Sequence, residues 1–347
     1  FTMPKQSRVE LVAQLQKERD NTIVISYVTG TRNGLEFPIE IDAIRKFYEH
    51  LILANANKRE TKVDLILHSN GGNGIVPWRL VTLLREHCKH FTVLIPHRAF
   101  SAATLIALGA DEIVMHPMGM LGPVDPTVTN PFNPKADGNP NQILGISVED
   151  VSAYIALIKE DVGINHEDEL VQAFNLLASK VHPLALGNVK RFMAQSRLMA
   201  KKLLGLHMDK SNDEHKINEI VENLTSKLYF HGHPINRKEA DEDLGLKISK
   251  YNAAIEEIMW KLYLEYEAEM LLDTPFRFVD DFVAKYPELT PGQIQTHRLP
   301  TYKGVYIESA KRTDVFTVDF EIIGQKMPNG TYGAQLSTIR QGWVVET

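Results

Sequence analysis

Between Thr22 and Met115, short β-branched runs alternate with stretches of helical periodicity, and this alternation restricts the fold more than any other property of the sequence. Thr22–Val28, Val63–Leu67, Phe91–Ile95 and Glu112–Met115 have the Val, Ile and Leu content of buried strands. Helical patterns separate them. Ile41, Ile44, Phe47 and Leu51 share one face between about Ile39 and Ala56, and a further helix runs to about His87. An N-terminal helix from Pro4 to Asp20 carries Val9, Leu11, Val12 and Leu15 on one side. Apolar strands joined by helices make βαβ units and a mostly parallel sheet. Ligands of such sheets bind beyond the carboxyl ends of the strands. Two features stand there: the turn Ser69-Asn70-Gly71-Gly72-Asn73-Gly74, and Ser101.

Further along, the pattern from Ser147 to Phe230 is helical, and another helix is predicted from Tyr251 to Leu272. After Pro275 the character changes to strand-like runs, Val305–Ile307, Val315–Phe320 and Trp343–Val345, with turn signals such as Pro328-Asn329-Gly330 between them. The expected architecture is α/β, with repeated βαβ units, a helical extension and a small β-rich C-terminal appendage. The expected division is a domain over 1–272 and the appendage over 273–347.

Composition removes several functions. The net charge of −6, from 38 basic and 44 acidic residues, argues against nucleic acid as the main partner. One cysteine, Cys88, allows no intrachain disulfide and reads as packing at a helix end. No apolar run approaches the ~20 residues that span a bilayer, so no transmembrane segment is predicted. No signal-peptide pattern opens the chain, Met3 reads as the native start, and the expected location is cytoplasmic. The histidines show no metal-ligand spacing; His231 and His233, two apart, make a poor pair. No metal and no cofactor are expected.

Gly71 and Gly72 follow a strand and open a helix, where backbone N–H groups lack intrahelical acceptors. Without side chains they admit a reacting carbonyl closely enough to hold a developing oxyanion. A plain turn and cap explains the same residues, and a phosphate cradle lacks the Lys-Ser/Thr ending it needs. Ser101, followed by Ala102, Ala103 and Thr104, is either an N-cap or a nucleophile whose oxyanion hole the Ala102 N–H completes.

Together these segments resemble a known family. Leu67-His68-Ser69-Asn70-Gly71-Gly72 is similar to the glycine turn of the Clp protease proteolytic subunit and signal peptide peptidase A. The Ser101 helix, followed by Ala110-Asp111-Glu112-Ile113-Val114-Met115-His116-Pro117, looks like their nucleophile helix and next strand. Leu121-Gly122-Pro123-Val124-Asp125-Pro126, and later His233-Pro234-Ile235 with Glu239-Ala240 and Leu244-Gly245-Leu246, narrow the resemblance to the serine dehydrogenase proteinase family. It covers roughly residues 20–250. Asn70 replaces the family's usual proline, and Phe100 and Ala102 flank the serine where methionine or alanine and glycine are common.

The resemblance implies a ClpP/crotonase-like fold and a serine peptidase with Ser101 as nucleophile and Gly71, Gly72 and Ala102 as oxyanion donors. It implies a peptide or protein substrate and a closed homo-oligomer. Met118 to Pro126 contains no histidine where the Clp subunit carries its base, and His116 reads as structural. Asp125 is expected to order its loop. Signal peptide peptidase A uses lysine, whose pKa must fall from about 10.4 to about 7–8 by burial. The candidate is Lys190, on an apolar helix start, ahead of Lys180, Lys159 and Lys135. The pair Lys190-Arg191 inverts the family's arginine-lysine order, which places Arg191 on the family's lysine. The alternatives are a crotonase-type acyl-coenzyme A enzyme and a non-catalytic scaffold, with a partner protein at the C-terminal appendage. The segment after Ser147, with Leu170, Phe174, Leu176, Leu177, Leu184, Leu186, Phe192, Met193, Leu198, Met199, Leu203 and Leu204, is expected to supply subunit contacts.

Overall fold

The computed structural model describes residues 7–57, 59–124, 127–128, 130–136, 139–227, 233–250 and 252–346. At its centre is an eight-stranded sheet. Ile23–Thr29 (β1), Lys62–His68 (β2), His90–Ile95 (β3) and Glu112–Met115 (β4) lie side by side and parallel, each within a residue of the strand its pattern predicts. Ile294–Arg298 (β5), Tyr302–Ser309 (β6), Arg312–Lys326 (β7) and Tyr332–Glu346 (β8) complete the sheet with antiparallel pairings. The helices are Arg8–Glu18 (α1), Ala43–Leu53 (α2), Val76–His87 (α3), Ala102–Leu108 (α4), Val148–Ala156 (α5), Glu167–Lys180 (α6), Pro183–Leu204 (α7), Glu214–Glu222 (α8), Arg237–Glu242 (α9), Ala253–Met270 (α10) and Phe278–Lys285 (α11).

The parallel strands are apolar on both sides because helices cover both. Successive side chains point to opposite faces. Val24, Val28, Ile66, Leu94 and Val114 therefore pack under α1 and α10, against Leu11, Leu15, Met259 and Tyr266. Ile25, Tyr27, Leu65, Leu67, Val93 and Ile95 face the other way, toward α2, α3, α4 and the end of α7. Each such side chain, fully buried, contributes about 1.5–3 kcal/mol. Cys88 is buried at the end of α3, in keeping with packing.

The β-rich C-terminal region differs from a free-standing appendage. β6 pairs with β1 from Ile25↔Ser309 to Thr29↔Val305, so the final strands extend the central sheet. Pro275 and the change of pattern near 273 mark the passage from α10 into α11. β5, a polar edge strand, is not among the strand-like runs that the pattern picks out.

The stretch after Ser147 is helical as expected, but it is not packed as a closed bundle. Of its twelve apolar residues named above, only Leu203 and Leu204 are buried, and α6 has no buried residue.

Candidate active site

Two strand ends build the site. β2 ends at His68 and the chain turns through the glycines into α3; β3 ends at Ile95 and the chain turns at Ser101 into α4. Backbone bonds join the two turns: Ser69 N–H to Arg98 O at 3.0 Å and Phe100 N–H to Ser69 O at 3.0 Å. Gly71 sits directly against the serine. A Cβ on Gly71 would lie 2.8 Å from Ser101 Cβ and 2.9 Å from Phe100 O. Gly72 approaches another backbone as closely, for its Cβ would lie 2.4 Å from both N and O of Ile39.

Ser101 has φ 52° and ψ −114°, a conformation that L-residues rarely adopt. Such strain costs of order 1–3 kcal/mol and persists only where the surroundings over-determine it. Here Thr104 supplies part of that hold. Its buried hydroxyl lies 2.8 Å from both Ala99 O and Gly122 O, pinning the segments on either side of the serine. The Ser101 side chain makes no capping bond to α4, so the N-cap reading does not use its hydroxyl. The residue lines a cavity of about 430 Å³, together with Gly72, Asn73, Ala102, Leu105 and Phe192.

The three backbone donors are not equivalent. Gly71 is buried, and its N–H donates to Ser69 Oγ at 3.0 Å, with Thr29 Oγ1 donating to the same oxygen at 2.8 Å. Gly71 therefore provides close approach rather than a free donor, which corrects the expectation for that residue. Ile39 bonds to Gly71 O at 2.8 Å and to Asn73 N–H at 2.9 Å, leaving the Gly72 N–H outside that ladder. Ala102 opens α4, where an N–H has no intrahelical acceptor. Ser69 belongs to the glycine-turn motif, but the supporting role of its hydroxyl, like that of Thr104, is not revealed by sequence, since a buried hydroxyl carries no pattern of its own.

Residues 5–181, just over half of the chain, match the ClpP-like SDH-type serine proteinase family. The chain belongs to that family. Two proteins of Methanocaldococcus jannaschii, the uncharacterized MJ0137 and MJ1495, are 27% and 26% identical to it over 244 residues. The alignments cover 70% of this chain and 73% and 71% of theirs. Among solved structures, the 1510-N membrane-bound stomatin-specific protease is similar in two forms, a serine-to-alanine variant and a lysine-to-alanine variant in complex with a substrate peptide. Both have a TM-score of 0.35 and 14% identity, over 62% of this chain and 76% and 72% of theirs. No helix among the described residues is long and apolar enough to cross a membrane.

For an SDH-type proteinase the position of the base matters most, and the single chain does not bring Lys190 to Ser101. α7 turns Phe192, Gln195 and Ser196 toward the cavity. At 3.6 residues per turn, Lys190 lies about 140° around the helix from Gln195. Its side chain is exposed, as are those of Lys135, Lys159 and Lys180, and none of the four lines the cavity. The apolar run from Leu184 to Phe192 signals a helix but not which of its faces meets the serine. Asp125 and His231 lie outside the described residues. His116 stacks on Trp260 with centroids 4.9 Å apart, and His233 bonds Glu239 at 2.7 Å; both are packing partners away from the cavity.

A histidine pair, one member buried and the other half-buried, lies behind the glycine turn. His68 immediately precedes Ser69, is wholly buried and stacks on His97 at 5.6 Å. His68 Nε2 lies 3.0 Å from Thr31 Oγ1, and His97 Nδ1 lies 2.8 Å from the Tyr263 hydroxyl. Burial first, and then the neighbouring positive groups, push His68 well below its usual range and His97 down to about 4. Because the folded values lie below the unfolded one, acid protonates the unfolded chain first. The His97 contribution to stability is thus fully present above about pH 6.5 and is lost as the pH drops toward about 4. Thermal unfolding across that window should show Tm falling with pH, and His97→Phe should flatten the slope. An unchanged slope in His97→Phe would remove His97 from this role.

Proposed function

We propose that this chain cleaves peptide bonds through an acyl-enzyme on Ser101, with the Gly72 and Ala102 N–H groups holding the oxyanion. The observation that carries this reading is a strained serine, its hydroxyl unspent as a cap, lining one cavity with both amides. In this mechanism Ser101 Oγ attacks the scissile carbonyl, whose oxygen gains negative charge between the two donors. One such donor is typically worth about 10²–10³ in rate. The proton passes to a base, then to the leaving amine, and water hydrolyses the ester. The base in this reading is a lysine. Lys190 serves only where assembly brings it to a serine, since within one chain it faces away. Ile75, Leu105, Val124 and Phe192 form apolar walls suited to an apolar side chain beside the scissile bond. A crotonase-type enzyme would use the same amides but has no need of a strained serine beside them.

Digestion of a peptide library tests the reading. Cleavage beside apolar residues, present in the wild type and absent in Ser101→Ala, is expected. A library left intact by the assembled wild type would contradict it.

The same reading includes a closed homo-oligomer that shields Ser101 from folded proteins in the cytoplasm. Supporting it, Val171, Phe174 and Leu176 on α6 and Leu184 and Leu198 on α7 are exposed. Light scattering at micromolar concentration should give a multiple of 39.2 kDa. A clean monomer mass would refute closure.

A further inference from the structure

A second cavity, of about 320 Å³, shares no lining residue with the one at Ser101. It lies between the segment Leu35–Asp42 and the strands β1, β6, β7 and β8. Aromatic rings form part of its walls, beside Leu35, Pro38, Val305 and Val318. Phe316 meets Phe37 at 6.4 Å and Trp343 at 5.6 Å between ring centroids, both edge-on, and Tyr27 and Phe320 add to the lining. Three carboxylates, Glu36, Glu40 and Asp42, also line it, and no lysine or arginine does. All three are exposed and, among the described residues, accept side-chain hydrogen bonds from neutral groups: Glu36 from Asn70 Nδ2 at 3.1 Å, Glu40 from Asn73 Nδ2 at 3.3 Å, Asp42 from Trp343 Nε1 at 2.8 Å. None forms an ion pair among the described residues.

Ring faces and carboxylates both attract a cation, and an apolar interior favours a stem that leaves water. An anion is repelled by three like charges. We propose that this cavity is an effector site for an organic cation on an apolar stem, of alkylammonium type. Its route to the reacting centre is short. Glu36 and Glu40 bracket Ile39, whose backbone holds Gly71 and Asn73 and against which Gly72 rests without room for a Cβ. The carboxylates that would close on the cation are those now holding Asn70 and Asn73, so occupancy changes the hold on the glycine turn. Cation binding itself needs no assumption about Ser101; the effector role rests on Gly72 as an oxyanion donor.

Titration with octylammonium tests this, with octanol and octanoate as neutral and anionic matches. The indole N–H resonance of Trp343, identified by its loss in Trp343→Phe, reports occupancy, and the Gly72 amide resonance reports the turn. Octylammonium should saturate, move both resonances and bind roughly tenfold more tightly than octanol. Combining Glu40→Gln with Asp42→Asn should weaken octylammonium at least about threefold and leave octanol unchanged. Octanol or octanoate binding as tightly as octylammonium, or a Trp343 resonance that none of them moves, would overturn the site. Movement of Trp343 without movement of Gly72 would overturn the effector role, and neither result depends on whether Ser101 forms an acyl-enzyme.

Discussion

Ser101→Ala should reduce peptide hydrolysis by a factor on the order of 10⁴–10⁶, the usual cost of removing a serine nucleophile. The fold should survive, because the hydroxyl makes no capping bond to α4. A companion variant tests the backbone separately. At φ 52°, glycine escapes the Cβ penalty that serine and alanine both carry. Ser101→Gly should therefore be as inactive as Ser101→Ala but more stable by about 1 kcal/mol, roughly 1–2 °C in Tm for a chain of this size. The measurement is thermal unfolding of the two inactive variants side by side. Alanine proving the more stable would mean that the turn at Ser101 stores no strain.

The second large effect is expected at Gly72. An alanine there places Cβ 2.4 Å from two backbone atoms of Ile39, and φ is +151°. Backbone cannot swing aside as a flexible side chain does, so either the turn or the Ile39 segment must move. Both outcomes misplace the Gly72 N–H. The expected result is a loss of about 10²–10³ in activity, the worth of one oxyanion donor, with destabilisation of about 2–4 kcal/mol. Gly74→Ala is the matched control for stability, since nothing lies within 4 Å of its added Cβ. Denaturant unfolding of both variants, with peptide hydrolysis by Gly72→Ala, checks the prediction. A Gly72→Ala protein with wild-type activity would remove that amide from the oxyanion hole.

The parts of this structure that are legible in the sequence are those with local periodicity. β1 to β4 announce themselves because each is buried on both faces and bounded by helical patterns. Ser101 and the glycine turn stand out because they fall at the ends of such strands. The pairing of β6 with β1 has no local sign, as it joins Ile25 to Ser309 across almost the whole chain. The fate of the Gly71 N–H depends on where the Ser69 hydroxyl points, and a motif containing both residues does not specify that. Lys190 shows a different limit. Its apolar neighbours predict a helix, but the angular phase of α7 is set by tertiary packing, which presents Gln195 and Ser196 to the cavity instead. The positive φ of Ser101 is likewise imposed by the interlocked turns and Thr104, against the residue's own preference.

The most direct test of Ser101 as the nucleophile is intact-mass measurement after treatment with a fluorophosphonate probe. The assembled wild type should gain one adduct per chain, mapped by peptide analysis to Ser101 and absent from Ser101→Ala. An unlabelled wild type, or an adduct on another residue that persists in Ser101→Ala, would contradict it.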